Sequence, residues 1–146
     1  MTEDNSAAIG SDPSLLLVDD DEVFVTRLAR AMERRGFQPR IATSVAAARE
    51  ALAAGCPAYA VVDLRLEDGS GLDVVDALRS GREDARIVVL TGYGAIATAV
   101  AAVKMGATDY LSKPADADEI TTALLTEESA LPPPPENPMS ADRIRW

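Results

Sequence analysis

The segment Ala58–Asp63 (AYAVVD) decides the fold, because an apolar run ends there in a single carboxylate. An apolar run of this length is typical of a strand that is buried on both faces of a parallel sheet. Two other segments have the same design: Leu15–Val18 precedes three aspartates, and Ile87–Leu90 precedes Thr91. Polar groups at the ends of several buried strands predict one functional site at an edge of the sheet.

Strand and helix patterns alternate along the chain. The predicted strands cover residues 15–18, 37–42, 58–63, 86–90 and 109–112, and each precedes a stretch with apolar residues at helical spacing. Such alternation with short connections predicts an α/β fold, in which helices cover both faces of a parallel sheet. Pro39 cannot donate to a strand ladder, so the second strand is predicted at the sheet edge. This position fits the flavodoxin-like (βα)5 doubly wound parallel sheet, with strand order 2-1-3-4-5.

Composition and charge exclude several kinds of site. The formal net charge of −10 argues against direct binding of nucleic acid or anionic lipid, and it suits a site for a cation. The chain has no histidine, which excludes histidine-based catalysis and typical zinc sites. Cys56 is the only cysteine, so no internal disulfide can form. No apolar segment approaches the roughly 20 residues that span a bilayer, so we expect a cytoplasmic protein with no membrane partner.

Changes in composition divide the chain into four parts. Residues 1–13 are polar and acidic, which predicts a flexible leader. Residues 14–128 hold the strand and helix patterns and are predicted to form one domain. Residues 129–139 contain four consecutive prolines, which predict a stiff, extended linker. Residues 140–146 resemble the first turns of another helix, so we expect them to begin a helix-turn-helix-like C-terminal region that is truncated here. A disordered tail is the alternative for this segment.

Three aspartates are predicted to meet at one edge of the sheet. Asp19 and Asp20 follow the first strand, Asp63 ends the third, and these strands are neighbours in the predicted order. Like charges so close disfavour full ionisation unless a cation neutralises them. Magnesium is the natural candidate, because it is a hard ion with oxygen ligands. We expect Asp20 and Asp63 to bind Mg²⁺ and Asp19 to act directly or through water. The backbone carbonyl of Arg65 is a further predicted ligand.

Two more groups suit this site to phosphoryl transfer. Thr91 ends the fourth strand and Lys113 ends the fifth, so both are predicted to reach the same edge of the sheet. A carboxylate nucleophile, a divalent cation, an ammonium and a hydroxyl together suit phosphoryl transfer to Asp63. Lys113 would offset charge on the phosphoryl oxygens, and Thr91 would donate a hydrogen bond to one of them. Gly92 would leave room for the phosphoryl group.

These residues carry a family resemblance. Four segments resemble the signature positions of the receiver domain of bacterial two-component response regulators, namely Leu16–Asp20, Val61–Leu64, Val89–Gly92 and Tyr110–Pro114. The resemblance covers about residues 14–127. It implies that a sensor histidine kinase phosphorylates Asp63, that the Lys113–Pro114 peptide bond is cis, and that Tyr110 turns inward as a switch. It also implies an output surface formed by the fourth helix, the fifth strand and the fifth helix.

A narrower resemblance is to the redox-responsive global regulators of proteobacteria, the Reg/Prr/Act group. Residues 61–73, 90–104 and 131–143 carry it. Members have a proline hinge followed by a helix-turn-helix DNA-binding domain. The resemblance therefore implies a transcriptional regulator that responds to redox signals and contacts DNA only through a C-terminal domain absent from this chain. It also implies that phosphorylation favours a homodimer.

Two other functions fit parts of the pattern. Because the chain ends at Trp146, a stand-alone receiver module that acts through protein–protein contacts is a second hypothesis. A phosphatase or dehalogenase with Asp63 as nucleophile is weaker, because such enzymes need a second acid and Arg65 stands two positions on. We therefore expect no enzymatic activity beyond Mg²⁺-dependent self-phosphorylation and dephosphorylation at Asp63.

Other side chains carry weaker expectations. Ile96, Val100 and Val103 form a stripe on the fourth helix that is predicted to lie mainly in the core. Glu67 and Asp68 are predicted to be solvated loop residues. Residues 92–97 match a glycine fingerprint for dinucleotides, but only one strand follows them, so we do not favour a dinucleotide site.

Overall fold

The computed structural model of the protein describes residues 9, 11–92 and 96–125. In chain order its elements are β1 (Ser14–Val18), α1 (Glu22–Arg34), β2 (Gln38–Ala42), α2 (Val45–Ala54), β3 (Tyr59–Asp63), β4 (Arg65–Leu66), β5 (Gly69–Ser70), α3 (Gly71–Gly81), β6 (Arg86–Thr91), α4 (Ile96–Lys104), β7 (Asp109–Ser112) and α5 (Ala117–Leu125). Most of the predicted leader, the predicted linker at 129–139, the predicted helix start at 140–146 and residues 93–95 lie outside the described residues.

The main sheet is parallel, with the strand order β2-β1-β3-β6-β7. Since β6 and β7 are the fourth and fifth predicted strands, the flavodoxin-like α/β fold and its order 2-1-3-4-5 are confirmed. Pro39 lies in β2 at the sheet edge, where a missing N–H is tolerated. The loop after β3 differs from a simple turn, because β4 and β5 form a short antiparallel pair within it.

Strand β3 is buried along its whole length and separates two layers of the core. Ala60 and Val62 pack toward α2, α3 and α4, whereas Tyr59 and Val61 pack toward α1 and α5. Removing a large apolar side chain from water contributes roughly 1.5–3 kcal/mol to stability. Packing on both faces therefore holds β3 rigidly, and the backbone of Asp63, its last residue, is held with it.

Polar side chains mark the starts of α1, α2, α3 and α5. The N-cap residues are Asp21 for α1, Ser44 for α2 and Ser70 for α3, and each accepts a hydrogen bond from a backbone N–H of the first turn. Before α5, Asp116 and Glu119 each accept a hydrogen bond from the other's backbone N–H. These bonds satisfy donors that a helix start leaves unpaired, so the helices begin at defined residues.

Helix α4 buries a different face from the one that the sequence predicts. Ala99 and Ala102 are fully buried, whereas the side chains of Ile96, Val100 and Val103 are 52%, 42% and 41% exposed. The prediction that this stripe is core was therefore wrong. The small alanines allow the helix to lie close to the sheet, and this leaves the larger side chains outside.

None of the described helices is long and apolar enough to cross a membrane.

The described end of the predicted leader is attached to the domain. Ile9 is only 4% exposed and belongs to the core layer of α1 and α5. Its carbonyl accepts a hydrogen bond from the Tyr59 hydroxyl. Asp12 Oδ2 accepts a hydrogen bond of 2.8 Å from Arg82 Nη1 in the loop after α3. Residues just before β1 thus tie the start of β3 to the end of α3.

Replacing Asp12 with asparagine should lower the free energy of unfolding at neutral pH by roughly 0.5–1 kcal/mol, as for an exposed ion pair. Hydrogen bonds from Ser14 and Arg82 lower the pKa of Asp12 from 3.8 to about 2. A carboxyl with a depressed pKa adds stability above its ordinary pKa and loses it as pH falls through the folded value. Urea unfolding should therefore show the difference from wild type shrinking as pH falls from about 4 to about 2.

The matched control for this prediction is Asp76→Asn. Asp76 is an exposed residue of α3 for which the described part of the chain shows no ion pair. An equal and equally pH-dependent loss in both variants would contradict the role of the Asp12–Arg82 pair.

Candidate phosphoryl-transfer and metal site

Three carboxylates meet at the carboxyl ends of β1 and β3. Val18 and Val62 are partners in the register of these two strands, so Asp19 and Asp63 leave the sheet side by side. One oxygen from each of Asp19, Asp20 and Asp63 lies within 4.8 Å of the others. Asp19 is 2% exposed and Asp63 is 6% exposed. The predicted convergence of the three side chains is confirmed.

Backbone N–H groups hold each carboxylate in place. Asp19 Oδ1 accepts from Asp21 N–H at 2.9 Å. Asp63 Oδ1 accepts from Arg65 N–H at 3.0 Å. Asp20 Oδ2 accepts from Glu67 N–H, also at 3.0 Å, which ties it to the loop after β3. The loop thus positions two of the three acids by its main chain.

Lys113 brings one positive charge to the acids. Its Nζ lies 3.0 Å from Asp19 Oδ2 and 3.2 Å from Asp63 Oδ2. The Lys113 backbone N–H donates to the Thr91 carbonyl at 2.8 Å, which places the residue at the end of β6. The Lys113–Pro114 peptide bond is cis, as the family resemblance implies.

The charges at this edge do not balance, because three carboxylates lie close together and one ammonium contacts two of them. Burial raises the pKa of the Asp63 carboxyl above its ordinary value, and the Asp19 charge adds to this, while Arg65 N–H and Lys113 oppose it. Burial lowers the pKa of Lys113, but the Asp19 and Asp63 carboxylates outweigh it and raise that pKa overall. Lys113 therefore remains charged at neutral pH, and the site keeps an excess of negative charge.

The donor set fits a hard divalent cation. Asp19 Oδ2 is buried and has no aligned hydrogen bond, although the Lys113 ammonium lies 3.0 Å from it. A buried carboxylate oxygen without a directed donor is costly unless a cation is near. Oxygen ligands from Asp20 and Asp63 suit magnesium, and Asp19 stays predicted to act directly or through water. The Arg65 carbonyl stays a predicted ligand.

An open cavity of about 390 Å³ lies over these acids. Asp20, Asp63, Arg65, Gly92 and Lys113 are among the residues that line it. A Cβ built on Gly92 meets no described heavy atom within 4 Å, which is consistent with free space at this position. The cavity therefore gives a small anion access to the Asp63 carboxylate.

Thr91 ends β6, the neighbour of β3, and Tyr110 lies one strand further out on β7. Thr91 is 1% exposed, and its hydroxyl donates to the Gly92 carbonyl at 3.2 Å. Tyr110 is half-buried and packs against the core layer of α2, α3 and α4. The predicted roles of these two residues, as phosphoryl ligand and as switch, stay predictions.

The sequence did not predict the contacts of two residues around the site. Phe24, in the first turn of α1, lies with its ring centroid 5.1 Å from Lys113 Nζ. Asp68, predicted to be solvated, accepts hydrogen bonds from Val45 N–H and Ala46 N–H and so joins the loop after β3 to the start of α2. These bonds lower the pKa of Asp68. No local signal reveals either contact, because each partner is distant in sequence.

Comparison with known proteins agrees with this geometry. A family model described as the response regulator receiver domain matches residues 15–125. The chain belongs to this family. The photosynthetic apparatus regulatory protein RegA of Rhodobacter capsulatus is 72% identical over 146 residues, which cover 100% of this chain and 79% of RegA. The acid tolerance regulatory protein ActR of Rhizobium meliloti is 62% identical over 138 residues, which cover 94% of this chain and 71% of ActR.

A solved structure shares both the fold and much of the sequence of this receiver domain. It is a response regulator protein from Burkholderia pseudomallei, described with a phosphorylated aspartic acid, a calcium ion and citrate. It matches with a TM-score of 0.75 and 47% identity, over 81% of this chain and 69% of the other. The narrower resemblance to the Reg and Act regulators is confirmed by the relatives, and the receiver fold by this structure.

Replacing Gly71 with alanine should destabilise the protein by roughly 1–3 kcal/mol, the usual cost of overpacking. A Cβ at Gly71 would lie 2.3 Å from the Asp63 carbonyl oxygen and 2.8 Å from Leu64 Cα. Backbone atoms cannot move aside as a flexible side chain can, so α3 or the end of β3 must shift. Urea unfolding measures the loss. Gly92→Ala is the control, and an equal loss there would contradict this explanation.

Proposed function

We propose that this receiver domain accepts a phosphoryl group on Asp63 from a sensor histidine kinase, in a reaction that depends on Mg²⁺. The observation that carries the proposal is the placement of Asp63. Its carboxylate lies at the end of a rigid strand, beside Lys113 and within 4.8 Å of two further acids. Neither a helix cap nor a structural ion pair requires three acids with one ammonium at the floor of an open cavity.

In this reaction a carboxylate oxygen of Asp63 attacks phosphorus, and the bond from phosphorus to the donor nitrogen breaks. Lys113 stabilises negative charge on the phosphoryl oxygens. The Thr91 hydroxyl donates to one of these oxygens after leaving the Gly92 carbonyl. Asp20, Asp63 and the Arg65 carbonyl would hold magnesium, with Asp19 acting directly or through water, and the ion would add positive charge to that of the single lysine.

The solved relative supports the same chemistry. Its description names a phosphorylated aspartic acid and a calcium ion, and its sequence is 47% identical to this chain. Calcium and magnesium are both hard cations that bind carboxylate oxygens. We propose that the acids of this chain likewise bind a hard cation, and that this cation is magnesium.

We further propose that the phosphorylated domain regulates transcription from the cytoplasm. RegA and ActR are both named as regulatory proteins, RegA for the photosynthetic apparatus and ActR for acid tolerance. The exposed ridge of α4, formed by Ile96, Val100 and Val103, supports an output surface that includes this helix. Tyr110 would transmit the change, phosphorylation would favour a homodimer, and DNA contact would be made through a C-terminal domain outside this chain.

The exposed ridge also favours a second candidate, a receiver module that acts through protein contacts alone. Gel-shift measurements with this chain and with any longer product of the same gene would separate the two candidates. DNA binding by a longer, phosphorylated product supports the regulator, whereas a reading frame that stops at Trp146 supports the module. Turnover of a generic phosphate ester would instead support an Asp63 phosphatase.

Incubation with acetyl phosphate and Mg²⁺ should add one phosphoryl group to the wild-type protein, seen as a mass adduct. Asp63→Ala should give no adduct, because it lacks the nucleophile. Asp76→Asn, an acid of α3 away from the site, should be modified like wild type. A missing adduct on wild type, or an undiminished adduct on Asp63→Ala, would overturn the proposed function.

Replacing Asp20 with asparagine should weaken Mg²⁺ binding roughly tenfold or more, because it removes a charged oxygen ligand. Titration calorimetry of the unphosphorylated protein measures the affinity without any phosphoryl transfer. Glu22→Gln removes an exposed negative charge two positions away and is the control for general electrostatic attraction. Equal affinities for Asp20→Asn and Glu22→Gln would contradict the assignment of Asp20 as a ligand.

A further inference from the structure

The Lys113 ammonium has an aromatic neighbour in addition to its two acids. The ring centroid of Phe24 lies 5.1 Å from Lys113 Nζ, within the range at which an aromatic face attracts a cation. The same ammonium lies 3.0 Å from Asp19 Oδ2 and 3.2 Å from Asp63 Oδ2. Lys113 is therefore held by two carboxylates and one aromatic ring.

The position of Phe24 is fixed by the start of α1. Its backbone N–H donates to the N-cap Asp21 at 3.0 Å. The Asp21 backbone N–H in turn donates to Asp19 Oδ1 at 2.9 Å. The ring of Phe24 is half-buried against the core layer of α1 and α5. The same turn therefore places both Asp19 and the ring that contacts Lys113.

We propose that Phe24 is a positioning residue for Lys113 in phosphoryl transfer to Asp63, which rests on the proposed function. Lysine has a compact charge on a flexible four-carbon stem. The Lys113 side chain is 30% exposed, so water can reach it. The ring of Phe24 restricts the stem and shields the ammonium on one side.

The chemistry of the ring suits this role better than a further acid would. A third carboxylate beside Lys113 would compete with the incoming phosphoryl oxygens for the ammonium. An aromatic ring attracts the ammonium through its quadrupole and carries no net charge, so the full positive charge remains available to the phosphoryl group. Simple apolar packing of Phe24 is the competing explanation, and it does not depend on the electrostatics of the ring.

Fluorination separates the two explanations, because fluorine withdraws electrons from the ring and weakens its attraction for a cation while largely preserving its shape. The chain contains only two phenylalanines, Phe24 and Phe37. Phe37 is a matched control, since its ring packs edge-on against Tyr59 at the opposite end of β3 from Asp63. Mono-, di- and trifluorophenylalanine would be introduced at each position in turn.

The rate of adduct formation with acetyl phosphate and saturating Mg²⁺ is then measured for each protein. We expect the rate to fall stepwise with fluorination at Phe24, by about two- to fivefold in total, and to stay constant at Phe37. Phe24→Leu should show a similar fall and Phe24→Trp should retain the rate. A rate that is independent of fluorination at Phe24 would overturn the proposal, even if Phe24→Leu is slow or unfolded.

A measurement without phosphoryl transfer tests the contact itself. Uniform labelling with 4-fluorophenylalanine gives two ¹⁹F resonances, one for each phenylalanine of the chain. Lys113→Met should shift the Phe24 resonance and leave that of Phe37 in place, whereas an unmoved Phe24 resonance would overturn the contact. If wild type forms no adduct while the resonance shifts, the proposed function fails, and with it the role of Phe24 in phosphoryl transfer.

Discussion

Three carboxylates lie together at the carboxyl edge of the sheet, and the one ammonium beside them contacts only two, Asp19 and Asp63. Buried like charges repel each other unless something compensates them. Lys113 compensates part of the charge, and backbone N–H groups stabilise part of the rest through hydrogen bonds. The remaining excess of negative charge suits this edge to a divalent cation. That charge depends on the fold as well as on the acids, because the fold brings the three side chains together.

The loops around the site are organised by acids that accept hydrogen bonds from main-chain donors. Asp21 starts α1, Asp68 joins the loop after β3 to the start of α2, and Asp20 is joined to the same loop through Glu67. Each bond satisfies a donor that a loop or helix end leaves unpaired. These three acids thus have a structural use at this edge.

In helix α4, apolar periodicity alone does not identify the buried face. Its larger side chains and its alanines both recur at helical spacing, so each set is a candidate for the buried face. Close approach to the sheet selects the alanines, Ala99 and Ala102, and leaves Ile96, Val100 and Val103 outside. An apolar ridge on the surface of a helix suits contact with a partner protein. Only packing against the sheet decides which set is buried.

The sequence by itself determined the sheet order, the convergence of Asp19, Asp20 and Asp63, and the approach of Lys113, because all of these follow from strands that end in polar residues. Strand ends in a parallel sheet share one edge, so a local pattern is enough to predict them. Tertiary structure alone decided the contact of Phe24 with Lys113, the capping of α2 by Asp68 and the burial of Ile9. These contacts join residues far apart in the chain, and their geometry depends on how helices and loops rotate against the sheet, which no local spacing encodes.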